Sequence, residues 1–294
     1  MYNIKKMYNA ETISDAVKFL TDNEDALIIA GGSDVLIELR HGKISNATLV
    51  NIRDIEEMQG IELVNDDIII KPLSTFTEID ENPIIQKHIP MLAEAVSTVG
   101  GPQVRNIGTI GGNICNGITS ADSASTLFTL DAELEITGPD GKRNINIKDF
   151  YIWVGEVDLK PGELLTKIII KKENYENHFG HYYKYAKRNA MDIAIQGCAV
   201  NCKLSTDKTK LENVRIGFGV GGPIPLRCFE TEKNAKDKKL SNELIEEIGK
   251  SVLLEVNPRT SWKATKEFRL HLAEELSKRV LKEAIERAGG HIND

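Results

Sequence analysis

Apolar positions recur along this chain in two periods, and glycine and proline mark where one gives way to the other. Residues 11–20 set Ile13, Ala16, Val17 and Leu20 on one helical face. Residues 25–30 read as a short buried strand that runs into Gly31-Gly32-Ser33-Asp34. Val35 to Arg40 then predicts a helix, with Ser33 or Asp34 as its cap. A strand at Thr48–Ile52, parallel to the first across a helical connection, completes a small α/β unit over residues 1–55. Two short strands flank Asn65-Asp66-Asp67, Pro72 breaks the second, and residues 73–77 lead into a polar turn. A helix is expected from Asn82-Pro83, resuming at Pro90 and stopping before Gly100-Gly101-Pro102.

Beyond residue 122 the pattern predicts a short helix over 123–130, a strand over 132–137, a turn at Gly138–Gly141 and a strand at Ile168–Ile170. Residues 174–181 are polar and aperiodic, which places a domain boundary near 176. Two long strand patterns, 193–204 and 211–220, then suggest an antiparallel sheet, and 241–255 and 266–288 have helical spacing. The fold class is α+β.

Composition narrows the function classes. The 294 residues carry 44 acidic and 37 basic side chains, a formal charge of −7, with no dominant basic block. A nucleic-acid reader is therefore not expected. No apolar run is long enough to cross a membrane and the N-terminus has no secretory signature, so the expectation is a cytoplasmic protein. Cys115, Cys198, Cys202 and Cys228 lack the spacing of a thiolate metal site and read as buried free thiols; no metal ligands are assigned.

The candidate chemistry lies in two glycine segments. Residues 105–122 hold Gly108, Gly111, Gly112 and Gly117 among Thr109, Asn113, Asn116 and Thr119, with Ile107, Ile110 and Ile114 as anchors. Such a run suits an anion or nucleotide cradle, or else a tight turn between core strands. The strand–glycine–helix passage through residues 28–35 is a second plausible phosphate site. Asp122 closes the longer segment, either as an acceptor for sugar hydroxyls or as a helix cap. Lys184, in a strand-like stretch, either meets a ligand or pairs structurally with a neighbour. Gly217–Gly222 is followed by Pro223 and Pro225 where a dinucleotide fingerprint requires a helix, so it reads as a strand end and turn.

Taken together, Ala30–Asp34, Gln103–Asn106 with Thr109–Asn113, Asp122, Lys184–Arg188 and Met191-Asp192-Ile193 resemble the FAD-binding (medium) subunits of molybdenum hydroxylases, those of bacterial xanthine dehydrogenases most of all. The resemblance spans nearly the whole chain. It implies an FAD-binding domain of the vanillyl-alcohol-oxidase (PCMH) type over 1–176, in two α/β subdomains of about 1–55 and 56–176. A smaller α+β domain follows over 177–294. It further implies that Ile28, Ile29, Ala30, Gly31, Gly32, Ser33, Asp34 and Val35, together with Thr109, Ile110, Gly111, Gly112 and Asn113, wrap the FAD diphosphate. Asp122, Leu164 and Lys184 would be further FAD contacts, and Val99 stands where the family carries an aromatic beside the flavin. The implied partners are a molybdopterin-binding large subunit and a small subunit with two [2Fe–2S] clusters, assembled as a dimer of heterotrimers, with NAD as electron acceptor. No catalytic side chain is expected, because the cofactor carries the chemistry. The alternatives are a related hydroxylase acting on nicotinate, another N-heterocycle, carbon monoxide or an aromatic coenzyme A thioester, or a non-redox nucleotide-binding regulatory module.

Overall fold

The computed structural model describes residues 2–292; Met1, Asn293 and Asp294 lie outside the described residues. In chain order its strands are β1 (Ile4–Asn9), β2 (Leu27–Ile29), β3 (Ala47–Asn51), β4 (Ile61–Val64), β5 (Asp67–Ile70), β6 (Glu133–Gly138) and β7 (Gly141–Asn146). Then come β8 (Tyr151–Trp153), β9 (Glu156–Val157), β10 (Leu164–Ile170), β11 (Phe179–Tyr185), β12 (Gln196–Leu204), β13 (Leu211–Gly219) and β14 (Leu226–Arg227). They form an all-parallel sheet β1-β3-β2, an antiparallel sheet β4-β5-β10-β6-β7, an antiparallel sheet β11-β12-β13-β14 and the hairpin β8-β9. This is the α+β class expected from the sequence, with a parallel unit and an antiparallel unit followed by a smaller α+β part.

Three local features depart from the sequence pattern. Strand β1 is exposed along most of its length, so no apolar alternation marks it. Strand β7 is nearly all polar and is held by the hairpin turn at Gly138–Gly141. The polar turn expected after residues 73–77 is instead part of the helix Phe76–Glu81. It starts at a reciprocal capping box in which the Thr75 side chain accepts from the Glu78 N–H and Glu78 accepts from the Thr75 N–H. The helix expected from Asn82-Pro83 follows as a separate element, Pro83–His88, with Asn82 as its cap.

The third sheet packs on both faces, which fixes the geometry of the site. Tyr182 and Ala199 belong to the core of the antiparallel β4–β10 unit, alongside Leu127, Phe128 and Ile168. Cys198, Val200 and Cys202, one residue out of phase on β12, belong to the core under the helices Asn242–Ser251 and Lys266–Arg287. All four cysteines are free, three of them buried. Period-two alternation thus sends one face of β11 and β12 into the first half of the chain and the other into the second.

A polar contact closes the same seam. The Glu94 carboxylate accepts from the Tyr182 N–H at 3.1 Å, lies 2.9 Å from His181 Nδ1 and meets Arg287. Burial pushes this carboxyl upward, but the bonds from His181, the Tyr182 N–H and Arg287 outweigh it and hold Glu94 below the ordinary carboxylate range. A carboxyl lowered in the folded state contributes stability that is complete above its unfolded pKa and is lost as pH falls through the folded value. Glu94→Gln should therefore be less stable than the parent by about 1–2 kcal/mol near neutrality, and the gap should narrow in acid. Urea unfolding at a series of pH values checks this; a gap that widens on acidification would contradict it.

Candidate functional site

The two glycine segments, far apart in sequence, are in direct backbone contact. A Cβ on Gly31 would lie 1.8 Å from the Ile107 carbonyl oxygen and 3.2 Å from Gly108 Cα, so no side chain fits there. Gly32 has φ +73°, in the left-handed region that glycine adopts without strain. From the other side, Asn116 Nδ2 donates to Asp34 Oδ2 at 3.3 Å. Burial, then the nearby Glu38, pushes the Asp34 carboxyl upward. Asp34 occupies the N-cap position of the helix Val35–Arg40, but neither it nor Ser33 makes a side-chain cap bond, contrary to expectation.

The segments differ in what their backbone offers. Among the described residues, the N–H groups of Gly31, Gly32, Ser33 and Asp34 have no acceptor. In the longer segment Thr109 to Asn113 do not form an open loop. Thr109 caps a helix over Ile110–Cys115, accepting from the Gly112 N–H at 3.2 Å. The Ile110 N–H donates to Ser74 O at 3.1 Å, that of Gly111 to Pro72 O at 2.8 Å, and that of Asn113 to Thr109 O at 3.0 Å. Gly111 is needed for packing, since its Cβ would fall 2.4 Å from Pro72 Cβ. Gly112 is exposed and its Cβ would meet only Thr109 Oγ1, at 3.0 Å. Asn113 accepts from Ser123 Oγ at 2.7 Å, and its Nδ2 has no acceptor among the described residues. At the helix end, burial pushes the Cys115 thiol up to about 12, so it stays protonated.

Asp122 and Lys184, 62 positions apart, meet in the interior. The Asp122 side chain is 7% exposed and that of Lys184 8%, and Lys184 Nζ lies 2.7 Å from Asp122 Oδ2. Lys184 also donates to the Thr98 carbonyl at 3.0 Å, and the Tyr182 hydroxyl donates to Asp122 Oδ1 at 2.7 Å. Burial pushes the Asp122 carboxyl upward while Lys184 and Tyr182 work against it; burial and the adjacent carboxylate push the Tyr182 hydroxyl up, so it remains a donor. The cap position of the helix Asp122–Thr129 belongs to Ala121. Tyr182 was missed from sequence although it lies two residues before Lys184, on the same strand face.

The remaining candidates are more remote or more enclosed. Ile28 and Ile29 face opposite cores of the parallel sheet. Leu164 is 3% exposed and packs with Val17, Leu20 and Leu73, so only its backbone can face a ligand. Val99 is half-buried, and its carbonyl accepts from Arg105 Nη1 at 3.2 Å. The Gly217–Gly222 stretch ends β13 and docks on the longer glycine segment: the Val220 N–H donates to Thr119 O at 3.0 Å and Thr119 Oγ1 donates to Gly222 O at 3.0 Å. Val220 itself has φ +64°, an uncommon conformation for a β-branched residue.

Comparison with known proteins decides what this arrangement is. Residues 2–171 match the family described as the FAD binding domain in molybdopterin dehydrogenase, and residues 181–284 match the CO dehydrogenase flavoprotein C-terminal domain. The chain belongs to the FAD-binding medium subunits of the molybdenum hydroxylases. Within that family it is 42% identical to the putative xanthine dehydrogenase FAD-binding subunit of Escherichia coli K12, over 99% of this chain and all of that one. It is 30% identical to the nicotinate dehydrogenase FAD-subunit of Eubacterium barkeri, over 82% of each chain. A crystal structure of the Cu,Mo-CO dehydrogenase superposes with a TM-score of 0.92 at 26% identity, covering 98% of this chain and 99% of that one. The medium subunit is thus part of a dehydrogenase complex. Its residues suit a dinucleotide: the amides at 31–34 are unpartnered, Gly112 is exposed and Asn113 has a free amide nitrogen, on two segments that touch at Gly31 and Ile107. Among the described residues no helix is long and apolar enough to cross a membrane, and no three His, Cys, Asp or Glu side chains gather as a metal site.

Proposed function

We propose that this chain holds one FAD non-covalently and relays electrons from [2Fe–2S] clusters on a partner subunit to NAD⁺, within a xanthine or purine dehydrogenase. The observation that carries the reading is full-length 42% identity to a xanthine dehydrogenase FAD-binding subunit, combined with four unpartnered amides at residues 31–34. The chemistry FAD supplies when bound is hydride exchange with a nicotinamide and one-electron exchange with iron–sulfur clusters.

The side chains bind, orient and exclude water. The amides of Gly31 to Asp34 hold the diphosphate, with Ile28, Ile29, Ala30 and Val35 shaping the strand-to-helix passage behind them. Thr109, Ile110, Gly111, Gly112 and Asn113 form the facing wall, which works through Gly112's missing side chain and the Asn113 amide, since the N–H groups of Ile110 to Asn113 are already paired. Asp122 and Lys184 flank the cofactor as a buried pair, and Leu164 contributes its backbone. Residues 1–176 and 177–294 are the two domains of this reading. Partners bearing molybdopterin and two [2Fe–2S] clusters supply the remaining centres, in a dimer of heterotrimers in the cytoplasm.

Anaerobic titration with each donor separately tests the relay. NADH should bleach the long-wavelength flavin band of the FAD-loaded subunit, whereas xanthine should leave it unchanged until the partners are added. Bleaching by xanthine alone would overturn the division of labour. No bleaching by NADH in the complete assembly would replace NAD⁺ with a ferredoxin, a quinone or oxygen. Acid precipitation that leaves flavin in the pellet would refute non-covalent binding.

A further inference from the structure

A cavity of about 110 Å³ opens at the seam between the two halves of the chain, away from both glycine segments. One wall comes from the junction of the helices Pro83–His88 and Pro90–Ser97; the other comes from β11, β12 and the end of the long C-terminal helix. Its charged lining side chains are Lys87 and Arg287, joined by the imidazoles of His88 and His178, with no acidic side chain among the described residues that line it. Arg287 spends Nη1 on Glu94 and Gly180 O and Nε on Glu283, which leaves Nη2 without an acceptor.

Neither imidazole has a carboxylate partner. His88 lies edge-on to the Tyr175 ring at 5.2 Å, and His178 Nδ1 lies 3.0 Å from the Glu176 carbonyl. Burial, then Lys87, lowers His88, with Asp66 opposing; burial, then Arg215 and Lys203, lowers His178, with the Glu176 carbonyl and Asn213 opposing. Asn201, 2% exposed, gives Nδ2 to Thr129 O and Asn174 O, and its Oδ1 accepts from no described residue. The apolar lining comes from Ile89, Pro90, Met91, Leu130 and the Tyr175 and Phe179 rings. The cavity is far below the several hundred Å³ of a drug-sized site, so one ring is the largest body it admits.

We propose that this seam pocket binds a planar, single-ring monoanion that also carries a hydrogen-bond donor, a hydroxylated aromatic or heteroaromatic acid. Lys87 and the free Nη2 of Arg287 meet its charge, Asn201 Oδ1 takes its donor, and the apolar lining covers its ring. Because both halves of the chain contribute, the bound acid ties them together, and by raising the pKa of the facing imidazoles from their lowered position its binding takes up protons in mildly acidic solution.

The probe is 4-hydroxybenzoate, titrated calorimetrically into the flavin-loaded protein in two buffers of different ionisation enthalpy. Its neutral amide and inorganic phosphate serve as the comparison arms. Saturable binding with proton uptake is expected for the acid alone, together with a rise in the unfolding temperature. Lys87→Gln, an exposed change that the fold tolerates, should weaken binding by about tenfold, and His178→Gln should remove most of the proton uptake. Equal binding of the amide, binding of phosphate only, or unchanged affinity in both variants would each overturn the proposal. Flavin content is measured on the same samples, so failure here leaves the FAD reading standing.

Discussion

Lys184→Met should destabilise the subunit by about 3–5 kcal/mol, because it leaves the Asp122 carboxylate buried and without its cation. Both side chains are less than a tenth exposed, and the pair is 2.7 Å apart. The Tyr182 hydroxyl still donates to Asp122 and softens the loss without replacing the charge. Removing both partners in Asp122→Asn/Lys184→Met should recover most of the stability, since no uncompensated charge remains. Urea unfolding of the two single variants and the double variant closes this cycle. A loss below about 1 kcal/mol in Lys184→Met would show that water reaches the pair and that it behaves like a surface contact. Flavin content separates the two roles of Lys184. If it also touches FAD, the double variant regains its fold but not its cofactor.

Gly31→Ala should be the most damaging single-atom change at the cleft. The new Cβ would lie 1.8 Å from a backbone carbonyl oxygen, which cannot rotate away as a side chain would. Forcing the glycine segments apart costs about 1–3 kcal/mol or more by overpacking and moves the unpartnered amides together with the loop. Gly112→Ala is the contrasting change. It sits in a helical turn, where its Cβ meets only the Thr109 hydroxyl at 3.0 Å, so the fold accepts it and the loss falls on FAD occupancy. The flavin-to-protein ratio after gel filtration, with circular dichroism beside it, distinguishes the two. Full flavin occupancy in Gly31→Ala would mean that the contact between the segments is not what shapes the cleft.

Much of this was legible in the sequence because it is local. The strand–glycine–helix passage at residues 27–40, the double turn at Asn65–Asp67, the hairpin turn at Gly138–Gly141 and the long C-terminal helix each announce themselves by period and turn chemistry. Strand β1 does not, since its side chains face solvent and its position follows from pairing with β3. The family resemblance supplied Asp122 and Lys184 as neighbours of a cofactor, but not as partners of each other. Two residues separated by 62 positions become a pair only because the sheet that carries β11 packs, through β12 and β13, on the helix Asp122–Thr129. The bond from Asn116 to Asp34 and the contact of Gly31 with Ile107 are equally non-local, and no spacing rule encodes them. The longer glycine segment is legible in composition but not in its bonding: Thr109, Ser74 and Pro72 accept from the amides of Gly112, Ile110 and Gly111.

The Lys184–Asp122 pair also orders events during synthesis. When the ribosome has released everything up to Asp122, that carboxylate has neither its cation nor the Tyr182 hydroxyl, because both lie on a strand still to be translated. The nascent first half can assemble its parallel sheet and glycine contacts early. It cannot seal the carboxylate away from water until β11 is threaded into place. The buried pair is therefore completed only in the released chain, and a polypeptide cut at the junction of the two family segments would keep the Asp122 carboxylate without its cation.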